Sequence, residues 1–97
     1  MKCQNTKAQI NVIQKIKYLR IEHNISQIAL SDILEISSGQ VGSIESPRFQ
    51  HKYTLKQIKK FCSHINYPFE QIFLDEIEIE SPNYTDLLIQ KIIEYDE

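Results

Sequence analysis

Apolar residues recur at helical spacing along most of this chain. In INVIQKIKYLRIE, residues 10–22, they fall at positions 12, 13, 16, 19 and 21, which predicts a first helix. After His23-Asn24-Ile25 the pattern restarts in SQIALSDIL, residues 26–34. Ser26 is an N-cap candidate there, because its hydroxyl can accept from the free amides of a first turn. Glu35-Ile36-Ser37 is a short break. SGQVGSIE, residues 38–45, then gives a third helix with Val41 and Ile44 on its inner face. Pro47 marks its stop in the loop SPRFQHKY. Thr54 caps LKQIKKFCSHI, in which Leu55, Ile58, Phe61, Cys62 and Ile65 repeat at spacings of three and four. Asn66-Tyr67-Pro68 breaks that helix, and Phe69–Phe73 adds one more helical turn. Residues 74–80, LDEIEIE, alternate apolar with acidic and read either as a short strand or as an extended link. YTDLLIQKIIEY, residues 84–95, makes a final amphipathic helix with Tyr84, Leu87, Leu88, Ile92 and Tyr95 on one stripe, widened by Ile89 and Ile93.

Short helices joined by short turns predict an all-α domain. Two of them, 26–34 and 38–45, have the length and linker of a helix-turn-helix. At 97 residues the chain has room for one compact domain. Its 41% hydrophobic content with 25% charged residues fits a globular chain rather than a disordered one. No apolar run approaches the roughly 18 residues of a membrane span, and MKCQNTKAQI carries no apolar signal-peptide core, so a cytoplasmic location is expected. Cys3 and Cys62 form no CxxC pair, and the three histidines, His23, His51 and His64, stand apart from any ligand-spaced partner. Neither a disulfide framework nor a metal site is expected. The only glycines are Gly39 and Gly42, which excludes a dinucleotide fingerprint and a P-loop. No Ser/His/Asp order carries a catalytic signature, so no enzyme activity and no cofactor are expected.

Charge changes the picture. Residues 1–68 carry ten Lys and Arg against four acids, a net of +6, whereas residues 69–97 carry one base against nine acids, a net of −8. A basic body with an acidic tail points to a polyanion partner; a solvated tail that only aids solubility is the plainer alternative.

In order and spacing the residues resemble the phage-repressor (XRE, Cro-like) helix-turn-helix family of DNA-binding domains, over roughly residues 10–73. The resemblance rests on Leu19-Arg20 near the end of the first helix, Ser26-Gln27 at the start of the second, and Val41-x-x-Ile44-Glu45 in the third, followed by helices at 54–65 and 69–73. It implies a five-helix lambda-repressor-like domain at 10–73, after a flexible N-terminus at 1–9. Residues 74–97 would then be an acidic extension with an additional C-terminal amphipathic helix, a candidate dimerisation element. It also implies a salt bridge between Arg20 and Glu45 that ties the first helix to the third. Gln27 would contact a phosphate at the N-terminus of the second helix.

The third helix would be the reader of double-stranded DNA, with Ser38, Gly39, Gln40 and Ser43 as base-contact candidates. None of these is Arg, Lys or Asn, the usual bidentate partners of bases. Either the glycines let the backbone lie close to DNA, or the helix survives as scaffold alone. The basic stretch beyond it supplies the charge the helix lacks: Arg48, Lys52, Lys56 and Lys60, with Gln27, are the phosphate-contact candidates. Three positions depart from the family pattern. Glu35 stands where a turn glycine is common, Ser31 replaces a small buried alanine, and Pro47 stands in a loop that usually carries glycine.

The expected function is therefore a sequence-specific DNA-binding transcriptional regulator, with a repressor the simplest form. An antitoxin-like or adaptor interaction module on the same scaffold, with weak or no DNA binding, is the alternative. A homodimer is expected, formed through residues 77–95, because such operators are commonly pseudo-palindromes read by dimers. Packing of the last helix onto its own chain is equally open on sequence. Ile28 and Ile33 occupy second-helix positions that the family keeps polar and add weight to some interface.

Overall fold

Thr6 caps the first helix: its hydroxyl accepts from the Gln9 amide, and the Gln9 side chain accepts in return from the Thr6 N–H. This reciprocal cap satisfies two otherwise orphan donors. The computed structural model describes residues 5–46, 48 and 51–97. Among these it contains seven helices and no strand: α1 Lys7–Glu22, α2 Gln27–Leu34, α3 Ser38–Glu45, α4 Leu55–Ile65, α5 Glu70–Phe73, α6 Glu76–Ile79 and α7 Tyr84–Asp96. The first helix thus starts three residues earlier than its apolar stripe suggests. Residues 7–9, expected within a flexible N-terminus, form its first turn.

The same capping chemistry recurs. Ser37 and Gln40 close a capping box on α3, Thr54 and Gln57 on α4, and Asp75 and Glu78 on α6. The last corrects the strand-or-link reading of 74–80. A chain with Leu74 buried and Asp75 as cap turns helical at Glu76, and its alternating pattern is too short to set a sheet register. Between helices, Asn24, Glu35 and Asn66 adopt the left-handed conformation, with φ of 57°, 61° and 57°. Asparagine tolerates that region; glutamate does so at a cost. At Glu35 the turn is held by the Ile36 N–H donating to the Ser31 carbonyl at 3.0 Å, which fixes the short passage from α2 into α3.

α1 is the central element. One flank meets α3, the other meets α5 and α7, while α2 packs on α3 and α4. The core gathers Val12, Ile13, Ile16 and Leu19 of α1 with Leu30, Leu34, Val41, Ile44, Ile58, Phe61 and Cys62. Tyr53 and Tyr95 complete it, each only 1% exposed. Tyr53 therefore belongs to the interior rather than to the basic loop in which the sequence sets it. Ile21, by contrast, leaves the inner stripe and is exposed.

The acidic C-terminal helix is docked on its own chain at its final turn. Gln9 Nε2 donates to the Tyr95 carbonyl at 2.9 Å, Lys52 Nζ donates to the same oxygen at 3.0 Å, and the Tyr95 hydroxyl donates to the Tyr53 carbonyl. The Tyr95 ring meets Phe73 edge-on, with centroids 5.8 Å apart. Leu88 and Ile92 pack against the core, whereas Tyr84, Ile89 and Ile93 face outward. Ser31 is buried and donates its hydroxyl hydrogen to the Ile28 carbonyl, so the polar replacement costs no unsatisfied group.

Candidate nucleic-acid interface

Arg20 comes from the last turn of α1 and Glu45 from the end of α3. Arg20 Nε lies 2.7 Å from Glu45 Oε2 and Nη2 lies 2.8 Å from Oε1, so the fork is bidentate. The third guanidinium donor reaches the Ile25 carbonyl at 2.9 Å. The side chains are 9% and 2% exposed. Burial alone pushes the Glu45 carboxyl up, but hydrogen bonds from Arg20 and Gln27 and the charges of Arg20 and Lys17 outweigh it, leaving it below the ordinary carboxylate range. The fork in turn holds the Arg20 guanidinium above its usual value. Tyr53 lies close to this pair; burial, then the Glu45 charge, pushes its phenol up, so the hydroxyl stays neutral. That hydroxyl has no hydrogen-bond partner among the described residues.

Gln27, the first residue of α2, spends its amide on this network: Nε2 donates to Glu45 Oε1 at 3.0 Å. Its Oε1 overlies Gly42, where an added methyl would sit 3.7 Å away. The start of α2 and the end of α3 are thereby held together, and a methyl at Gly42 would make only ordinary van der Waals contact with the glutamine.

The base-contact candidates lie on the outer side of α3. Ser38, Gly39 and Gln40 are exposed, and Ser43 is half-buried. Gln40 Oε1 accepts from the Ser37 N–H, so its carbonyl is turned back on the cap. A groove of about 470 Å3 runs between this face and the segment entering α4. Its walls include Gly39, Gln40 and Ser43 on one side and His51, Lys52, Thr54 and Gln57 on the other. His51, Thr54 and Gln57 were not among the sequence candidates. The T-x-x-Q spacing of Thr54 and Gln57 marks a helix start, but only the fold sets that start opposite α3.

The cationic candidates divide into two groups. Arg48 and Lys56 are exposed, and neither forms an ion pair among the described residues. Lys60 pairs with Glu35 at 3.0 Å; that carboxylate is 76% exposed, so the contact is open to water. Lys52 is turned inward, its ammonium on the Tyr95 carbonyl and 5.3 Å from the centre of the Tyr95 ring. Pro47, expected to stop α3, and Cys3 at the N-terminus lie outside the described residues.

Among the described residues no three His, Cys, Asp or Glu side chains gather in a metal-binding group, and no helix is long and apolar enough to cross a membrane. Comparison with protein-family models, with curated proteins and with solved structures finds no match to this chain.

Proposed function

We propose that this protein is a sequence-specific DNA-binding transcriptional regulator of the helix-turn-helix type, with α2 and α3 as the motif and α3 as the reader. The observation that carries the reading is the convergence of two surfaces on one groove. The small-residue face of α3 forms one wall, and the basic segment that leads into α4 forms the other. A short helix with Ser38, Gly39 and Ser43 outward lets backbone and bases approach closely. The Arg20–Glu45–Gln27 network supports the same reading, since a reader must be held rigidly against its scaffold.

In this proposal Arg48 and Lys56 meet phosphates as they stand. Lys60 reaches them by exchanging an exposed partner, at little cost for a solvated pair such as Lys60–Glu35, whereas Gln27 gives up its bond to the buried Glu45 carboxylate to do so. Lys52 contributes charge from its place on Tyr95. Ser38, Gly39, Gln40 and Ser43 supply limited base contact, so discrimination between operator and random duplex is modest. The acidic helices pack on α1 and α5; in the same proposal residues 77–95 also contribute to a contact between copies.

One observation favours the alternative of an interaction module: Ile28 on α2 is 66% exposed, beside the start of the proposed motif. Selection of bound duplexes from a random pool separates the two readings. A regulator enriches a short motif, and Gln40→Ala or Ser43→Ala flattens the enrichment while overall affinity falls little. Recovery of an unenriched pool, with no duplex retained at low salt, favours the interaction module.

A further inference from the structure

Of the eight large hydrophobic side chains exposed among the described residues, three lie on one face of α1 and two on one face of α7. Ile10, Tyr18 and Ile21 lie on the outer face of α1, within a sector of about 80° at 100° per residue. Beside them a largely apolar groove of about 360 Å3, floored by Ile13 and Ile44, runs between α1 and the end of α3, with Lys17 on its rim. Ile77, Tyr84, Ile89 and Ile93 lie on α6 and α7. Ile89 and Ile93, one helical turn apart, form a ridge on α7.

The two patches differ in charge. Lys7 and Lys17 flank the α1 patch within about 60° of its centre, Lys15 lies off it, Glu22 accepts from the Tyr18 hydroxyl at 3.0 Å, and Arg20 is neutralised by Glu45. The α7 ridge is flanked by Asp86 and Asp96, while the one lysine of α7, Lys91, lies on another face, 3.7 Å from Glu78. They also lie on different faces. The groove at Ile13, Lys17 and Ile21 opens on the flank of α1 toward α3, whereas α7 crosses the opposite flank near Ala8 and Val12. One molecule therefore cannot cover its own α1 patch with its own α7 ridge.

We infer that the apolar ridge of α7, Ile89 and Ile93, docks into the α1–α3 groove of a second copy of this chain, head to tail. Charge complementarity selects this occupant. Symmetric pairing of α7 on α7 would oppose two strongly acidic surfaces, and like charges across an interface are repulsive. Head-to-tail docking instead sets that acidic surface against Lys7 and Lys17 of α1. It also covers Tyr18 and Ile21 with Ile89 and Ile93, giving the interface an apolar centre and a charged rim. The contact is heterologous, each copy offering one donor and one acceptor surface. It does not require duplex DNA.

A mixing experiment tests it. The α1 variant is Tyr18→Gln with Ile21→Gln, and the α7 variant is Ile89→Gln with Ile93→Gln; all four positions are exposed or outward, so the core is untouched. Wild type should gain mass with concentration by light scattering, and this association should weaken several-fold between about 0.05 and about 0.5 M salt as screening lengths shorten. Each variant alone should stay at the chain mass of 11.4 kDa. An equimolar mixture should form a species of about twice that mass, because the intact ridge of one variant fits the intact groove of the other. Single substitutions Tyr18→Gln and Ile89→Gln repeat the mixing should either double variant lose helicity by circular dichroism. Self-association of the α1 variant, which signals α7–α7 pairing, overturns the inference. So does a mixture that stays monomeric, or a wild type that never gains mass.

Discussion

Glu45→Ala is the substitution that bears most heavily on the scaffold. It removes two short charge-assisted hydrogen bonds, at 2.7 and 2.8 Å, together with the Gln27 contact at 3.0 Å. Arg20 then keeps only the Ile25 carbonyl, with its guanidinium largely enclosed. Breaking a buried pair from one side costs about 3–5 kcal/mol, chiefly because the surviving charge stays desolvated. The Ile25 bond and the 9% exposure of Arg20 set the lower end, about 3 kcal/mol, as the expected value. Small domains hold only about 5–15 kcal/mol in total. With a urea slope of about 1–3 kcal/mol per molar, the midpoint should fall by about 1–3 M. Arg20→Met with Glu45→Met should be less damaging than either single removal, since neither charge is left stranded. The pair also sets an acid response. Because the Glu45 carboxyl is held below its ordinary value, its contribution is complete above the unfolded-state pKa of about 4.3 and is lost as pH falls through the lower folded value. Glu45→Gln should lack that component. A midpoint that moves by less than about 0.5 M in Glu45→Ala would show that the fork does not hold α3 on α1.

Three further substitutions test separate parts of the fold. Glu35→Gly in a Lys60→Ala background should stabilise by about 1 kcal/mol in thermal melts, since the left-handed φ of 61° is relieved and the Lys60 pair is already absent; a loss of stability refutes strain at this turn. Tyr95→Phe deletes the donor to the Tyr53 carbonyl inside the core and should cost about 1–3 kcal/mol, with an unchanged melting temperature counting against the docking of α7. Cys62 is buried, and that burial pushes its thiol up to about 11. In a Cys3→Ser chain its alkylation at neutral pH should therefore track unfolding, and rapid labelling under native conditions contradicts the packing.

The strongly periodic segments could be read directly. α4 repeats its apolar residues at spacings of three and four and buries Ile58, Phe61 and Cys62 as that pattern requires, and Val41 with Ile44 does the same for α3. What escaped the sequence has two physical origins. Polar caps begin helices outside the apolar stripe, so the Thr6–Gln9 and Asp75–Glu78 boxes extended α1 and created α6 where periodicity carries no signal. Long-range contacts have no spacing to betray them. Lys52 and Tyr95 stand 43 positions apart, and their meeting turned a phosphate candidate into a clamp on the acidic helix. Tyr53, set among basic residues, entered the core because α7 folds back to cover it. The groove itself follows the same rule. Gln40 and Ser43 were legible as one helix face, but only the path of the chain into α4 brings His51 and Gln57 across from them.

Duplex binding as a function of salt tests the central claim most directly. Fluorescence anisotropy of a labelled duplex, titrated with the full chain at several salt concentrations, should show affinity falling steeply as salt rises. The logarithmic slope should decrease by about 0.9 for each phosphate contact removed. Arg48→Ala with Lys56→Ala should therefore lower the slope by about two units and weaken operator and random duplex alike. Both side chains are exposed and outside the core, so the folded population should not change. Absence of binding at low salt, or binding whose slope ignores these substitutions, would contradict DNA recognition through α3 and its basic flank.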